Sequence, residues 1–210
     1  MTDPLLALLF MIILILWSGS MLRRSNIKSP EKIILLNEFT LLGWIFLHQC
    51  NFYLFESTTA LRYSLYFDFF FIFMLPLLFL WLVLCIDTPE KEHPPGIWWI
   101  FVLFNLFLFA FVLTNDYHML VFQFDSLADW PNHYRYGPGY IFICISTLLM
   151  IIVAMISLLV RYKKSAGKLF IVRPLLMLAL IIAYTIGYSV HLSFFHVFDF
   201  VFVASLLVMF

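Results

Sequence analysis

The stretch from Ser64 to Ile86 reads SLYFDFFFIFMLPLLFLWLVLCI, and Asp68 is its one formal charge. A run of about 18 residues or more with so few charges is long enough to cross the hydrocarbon of a bilayer as a helix. Six further runs of this kind flank it: Pro4 to Leu22, Ile33 to Phe55, Ile97 to Thr114, Gly139 to Val160, Pro174 to His191, and Phe194 to Phe210. Composition agrees. Of the 210 residues, 64% are hydrophobic and 11% charged, against about 45–50% and about 25% in a soluble domain. Seven helices of about 20 residues take up about 140 positions, so no separate soluble domain fits. The expectation is an all-α membrane protein, a seven-transmembrane-helix bundle filling residues 1–210 as one domain in the lipid bilayer of the cell membrane.

The first run is read as a retained helix and not as a cleaved leader. No basic residue precedes it, Arg23 and Arg24 follow it, and no small-residue cleavage site is apparent. Orientation follows from the basic residues, because basic flanks resist translocation. The first connection carries Arg23, Arg24, Lys28 and Lys32, the third Lys91, and the fifth Arg161, Lys163, Lys164, Lys168 and Arg173. The second and fourth carry only Arg62 and Arg135. Odd connections are therefore expected in the cytoplasm, with the amino terminus outside. The last run, Phe194 to Phe210, ends without a basic anchor or a polar tail, so the chain reads as a fragment whose continuation is cytoplasmic. With 12 basic and 12 acidic residues, it lacks the clustered basic excess that a nucleic-acid partner wants.

The fourth connection, Asn115 to Pro138, is the long one, and it is expected outside as a lid between helices four and five. Its apolar, aromatic first half, His118 to Phe124, is followed by Asp-Trp-Pro-Asn and His-Tyr-Arg-Tyr-Gly. That pattern predicts a short hairpin packed on the outer mouth. Gly137-Pro138-Gly139 ends it and starts helix five. Cys50, Cys85 and Cys144 all fall in apolar runs and read as small core residues, with only Cys50 and Cys144 near the same membrane face.

Ionisable groups within a bilayer are costly, so each is a functional candidate beside its alternative of pairing within the bundle. Most collect in the outer half: His48 and Gln49 on helix two, Asp68 on helix three about 6 Å below the boundary, and Asp199 on helix seven about 8 Å below it. His191 closes helix six and His196 opens helix seven. With Asn51, and roofed by His118 and Trp130, these residues are expected to form one polar pocket for a small ligand arriving from outside; the competing reading is helix-packing bonds. Glu38 lies about 8 Å in from the cytoplasmic boundary of helix two and is read as packing glue or a proton relay. A metal reading is weaker. His196 and Asp199 are three apart on one face, but His191 and His196 are not aligned and no HExxH pattern occurs. GxSxG, GxGxxG and GxxxxGK[ST] are also missing, so the chain carries no catalytic residues, metal or cofactor motif.

Leu113-Thr-Asn-Asp-Tyr-His118 directly after helix four, and Tyr134-Arg-Tyr-Gly-Pro-Gly-Tyr140 leading into helix five, resemble the seven-helix sensor region at the amino terminus of bacterial histidine kinases. That family shows a Thr-Asn-x-x-His element at this place in the same layout. The resemblance implies a receptor whose seven helices precede a cytoplasmic output, a kinase or a cyclase, and it carries Thr114, Asn115 and His118 over as ligand-site candidates. It does not fix a ligand. The expected function is detection of an extracytoplasmic ligand or condition, passed through helix seven in a homodimer, and the chain itself phosphorylates nothing. Two other classes stand beside it: a small-molecule or ion transporter, which wants a continuous polar path, and an intramembrane metal-dependent hydrolase.

Overall fold

A computed structural model describes residues 4–23, 29–85, 93–124 and 134–162. The elements are α1 (Pro4–Leu22), α2 (Ser29–Tyr53), α3 (Thr58–Cys85), α4 (Gly96–Leu113), a single turn α5 (Asn115–His118), β1 (Phe122–Gln123), β2 (Arg135–Tyr136) and α6 (Pro138–Tyr162). Among the described residues four helices are long and apolar enough to cross a membrane, namely Glu31–Asn51, Thr58–Cys85, Gly96–Leu113 and Pro138–Arg161, and Met11–Ser20 is a shorter apolar helix. These match the first five expected runs. The sixth and seventh, with His191, His196 and Asp199, lie outside the described residues, as does Trp130 of the fourth connection.

One boundary moves in an instructive way. Hydropathy starts the third span at Ser64, whereas α3 starts at Thr58. Ser57 caps it, its Oγ accepting from the Ala60 N–H at 3.1 Å, which satisfies an amide that has no partner inside the helix. Arg62, expected in a loop, is instead on the first turns of α3 and buried. At 28 residues α3 is about 42 Å long, more than the hydrocarbon thickness of about 30 Å.

α3 is the axis of the bundle. Its Leu77, Phe79, Leu80 and Val83 pack with Trp98 of α4 and Met150, Ala154 and Leu158 of α6. At the other end Tyr66, Phe69 and Phe73 pack with Leu108 and Val112 of α4, Val121 and Phe122 of the connection, and Ile143 of α6. On its opposite side Phe71, Ile72 and Leu75 meet a cluster of Leu41, Trp44 and Ile45 from α2 with Leu14 from α1. Gly43 makes that approach close, since a Cβ there would stand 2.9 Å from Phe71 Cε1.

In lipid, helices gain little from hiding apolar surface, so close packing and hydrogen bonds hold them together. Among the described residues, bonds of this kind include three between the long helices α3, α4 and α6. Trp98 Nε1 donates to the Leu77 carbonyl at 3.0 Å, Asn105 Nδ2 to Met150 Sδ at 3.2 Å, and Arg161 to the Leu84 carbonyl at 2.9 Å. The last covers a carbonyl in the last turn of α3. Facing away from α3, α4 and α6 present Ile100, Leu103, Phe107, Ile145, Leu149 and Ile156 on the surface, a coat suited to lipid tails. Aromatics mark both ends: Trp98 and Trp99 at the start of α4, and exposed Tyr53, Tyr63, Tyr117 and Tyr136 at the far end. Amphipathic rings favour the two membrane–water interfaces, and α4 from Trp98 to Thr114 spans about 24 Å.

Candidate functional site

The residues after α4 form a tightly bonded turn. Thr114 ends the helix with its Oγ1 donating to the Ala110 carbonyl at 2.9 Å. α5 follows, and Met119 then adopts φ 53°, a left-handed conformation that costs a non-glycine residue about 1 kcal/mol or more. What holds it is the bonding around it. The Met119 N–H donates to the Asn115 carbonyl at 2.8 Å, and the Asn115 side chain grips the strand that follows.

Asn115 is 0% exposed. Its Oδ1 accepts from the Val121 and Phe122 N–H groups at 2.9 and 3.0 Å. Its Nδ2 donates to the Phe122 carbonyl at 2.9 Å and to Tyr66 Oη at 3.1 Å. An amide side chain is the one group that can meet a strand's donor and acceptor at once while also reaching a hydroxyl.

Asp116, next in sequence, faces α3. Its Oδ2 takes Arg62 Nε at 3.2 Å and Arg62 Nη2 at 3.1 Å, and its Oδ1 takes the Tyr66 hydroxyl at 2.7 Å. Two guanidinium nitrogens thus converge on one carboxylate oxygen, and the short O–H···O⁻ bond to the other is a strong, charge-assisted one. The two charged side chains are only 6% and 16% exposed, which frees them from much of the solvent screening that weakens surface pairs. Residues 54 positions apart are thereby tied, and the turn after α4 is fixed to α3.

His118 closes the turn from the other side. Its ring stacks on Phe111 with centroids 4.6 Å apart. The Leu120 N–H donates to Nδ1 at 3.0 Å, and Nε2 lies 3.0 Å from the Phe111 carbonyl. With Nδ1 accepting, the proton is assigned to Nε2, which donates to that carbonyl.

Beyond the turn, β1 pairs antiparallel with β2, Phe122 opposite Tyr136 and Gln123 opposite Arg135. The expected hairpin pairing is therefore present at the base of the connection. Gly137 and Gly139 donate to the Val121 and Leu120 carbonyls at 2.9 and 2.8 Å. A Cβ on Gly137 would fall 2.1 Å from the Leu120 oxygen, so only glycine lets the backbones come this close. Phe122 is the hub of an aromatic roof: it stacks on Tyr66 and meets Tyr134, Tyr136 and Tyr140 with centroids within 6.1 Å.

The remaining sequence candidates lie on the other side of α3. Trp44 hydrogen-bonds Asp68 through its side chain, and His48 follows Trp44 by one helical turn and so shares its face. In this seam Gln49 Nε2, Asn51 Oδ1, Ser64 Oγ and Asp68 Oδ1 are buried without a partner among the described residues. The structure thus brings together Thr114, Asn115 and His118, and separately His48, Gln49 and Asp68, with α3 standing between the two groups. No cluster of three metal-binding side chains occurs among the described residues. Sequence reasoning missed Arg62, Tyr66 and Asp116. The available signal was a lone arginine two residues before a charge-poor run, and an aspartate inside the quoted Thr-Asn-Asp-Tyr-His element.

A helical membrane protein with a bonded cap at one end of its central helix is the class that these features define. The family model for the N-terminal 7TM region of histidine kinase matches residues 5–210. The chain belongs to that family and is a membrane sensor region of the histidine-kinase type. No curated protein and no solved structure matches it.

Proposed function

We propose that this region detects an extracytoplasmic ligand or envelope condition at the connection between α4 and α6 and passes the event to a cytoplasmic output. The orientation rests on the basic residues, which the first, third and fifth connections hold almost exclusively. That puts the amino terminus, the aromatic roof and the connection outside a multi-pass protein of the cell membrane. The observation that carries the reading is the Asp116 anchor. A signal arriving at the connection needs a rigid route to the helices, and Asp116 supplies one by holding the turn to Arg62 and Tyr66 of the axial helix α3. A ligand then acts by favouring one arrangement of turn and helix over another, to the extent of its differential affinity.

Two places suit a small extracellular ligand. One is the roof, where Trp130 and His118 belong to the same connection as Tyr134 and Tyr136. The other is the α2–α3 seam, where Gln49 and Asp68 each offer a polar atom without a partner among the described residues and His48 lies on the same stretch of α2; His191, His196 and Asp199 are proposed to complete it from the last two helices. Passage through the seventh helix in a homodimer is part of the same proposal, and the family's character as the N-terminal region of a histidine kinase supports an output beyond the membrane.

The test is the kinase output of cells carrying His118→Ala or Trp130→Ala. Altered signalling with unchanged membrane insertion supports the reading. Parental signalling by both variants under every stimulus tried refutes it.

A further inference from the structure

Glu38 of α2 takes no part in the features above, yet it is 0% exposed, and neither carboxylate oxygen has a hydrogen-bond partner among the described residues. It stands about 10 Å along the helix from Glu31 and about 20 Å from Asn51, the two ends of a run apolar enough to cross a membrane. An isolated charge there is strongly disfavoured unless something compensates it.

Helix register identifies its neighbours. α1 and α2 are joined by a short connection and run antiparallel, and Leu14 of α1 packs in one cluster with Leu41 of α2. One turn onward along α1 and one turn back along α2 brings Ser18 and Glu38 to the same level. Ser18 is 3% exposed, and its Oγ also lacks a partner among the described residues. On α3 the contacts of Gly43 with Phe71 and of Trp44 with Asp68 set Glu38 at the level of Leu75 and Pro76. Pro76 has no N–H, so the Ile72 carbonyl, directed along the helix toward it, loses its usual donor.

Three helices therefore bring oxygen acceptors to one level: a carboxylate, a hydroxyl and a freed carbonyl. Fixed charge does not offset them within the described residues. Trp17 and Ser18 come from α1 and Leu75 and Pro76 from α3, all uncharged, while the nearest charged groups of α2 are Glu31 and Lys32, nearly two turns away.

We propose that Glu38, Ser18 and the Ile72 carbonyl form a site for one monovalent positive charge, a proton or an alkali-metal ion, at the junction of α1, α2 and α3. Carboxylate, hydroxyl and freed main-chain carbonyl oxygens are the ligands by which such cations are held within membranes. Occupancy neutralises the junction and lets α1 pack on α2; loss of the cation leaves a bare charge in an apolar seam. The site is independent of the sensing reading and of its outer residues.

The experiment uses the full chain in lipid nanodiscs. Sodium or potassium chloride replaces choline chloride at constant ionic strength, and unfolding, infrared absorption and labelling by dicyclohexylcarbodiimide are followed for the parent and Glu38→Gln. For a metal ion, sodium or potassium raises the unfolding temperature of the parent and protects Glu38 from the carbodiimide, and E38Q loses the salt effect. For a proton, the salts do nothing, the parent shows the band of an un-ionised carboxyl that E38Q lacks, and the carbodiimide labels Glu38. Labelling is read on the parent by mass spectrometry, so a poorly folding E38Q does not shield the proposal. A parent with no salt effect, no acid band and no label at Glu38 has its carboxylate paired with a fixed charge of the chain, and the proposal falls.

Discussion

Replacing Asp116 with asparagine tests how the turn after α4 is held. The substitution keeps size and one acceptor for the Tyr66 hydroxyl, which now lies 2.7 Å from Oδ1, but removes the charge that two guanidinium nitrogens approach at 3.1 and 3.2 Å. Arg62 is then left buried with its cationic donors facing an amide. Breaking a fully buried pair costs about 3–5 kcal/mol, and because the Asp116 side chain is 16% exposed we expect about 2–4 kcal/mol. Arg62→Met leaves the carboxylate bare and should cost a similar amount. The double variant removes both charges, so its loss should fall well short of the sum, with a coupling of about 1–3 kcal/mol. The assay is reversible unfolding in mixed micelles of parent, both single variants and the double variant, followed by tryptophan fluorescence. Additive losses, or a D116N variant as stable as the parent, would refute the argument that this pair anchors the turn.

Other substitutions reach neighbouring parts of the same assembly. Asn115→Ala deletes four hydrogen bonds and strands two buried amides; a loss of about 3 kcal/mol or more is expected, with protease cleavage of the connection accelerated. Gly137→Ala forces a methyl into the Leu120 carbonyl and should cost about 1–3 kcal/mol, whereas Gly43→Ala meets the edge of a movable Phe71 ring and should cost less; thermal unfolding of the two variants checks the order. His118→Phe keeps a ring on Phe111 but loses the Leu120 and Phe111 bonds, so amide exchange at Leu120 should speed up while α4 stays protected.

Where the bilayer itself imposes a rule, sequence was a sufficient guide. Pro4–Leu22 and Gly96–Leu113 agree with hydropathy within a residue because a spanning helix needs a fixed length of apolar side chains. The start of α3 was missed because Arg62 looks like a loop residue until its partner is known. That partner is 54 positions away, and a single sequence does not display such a pairing. The same holds for the site. Thr114, Asn115 and His118 stood out by their resemblance to a family element, but the work of Asn115 is to bind backbone amides, which have no side-chain signature. The polar residues of α2 and α3 were grouped by depth alone. Depth does not tell which side of a helix a residue takes, so the division of the candidates by α3 came only with the packing of Tyr66 toward α4 and of Trp44 against Asp68.

The central claim is that the connection after α4 faces the exterior. Tyr117 is 90% exposed and sits on that connection, so a cysteine placed there in a chain lacking Cys50, Cys85 and Cys144 reports its side directly. Reaction with a membrane-impermeant thiol reagent in intact cells, with Arg23→Cys reacting only after permeabilisation, is the predicted result. Labelling of the Tyr117 position only after permeabilisation would contradict the account.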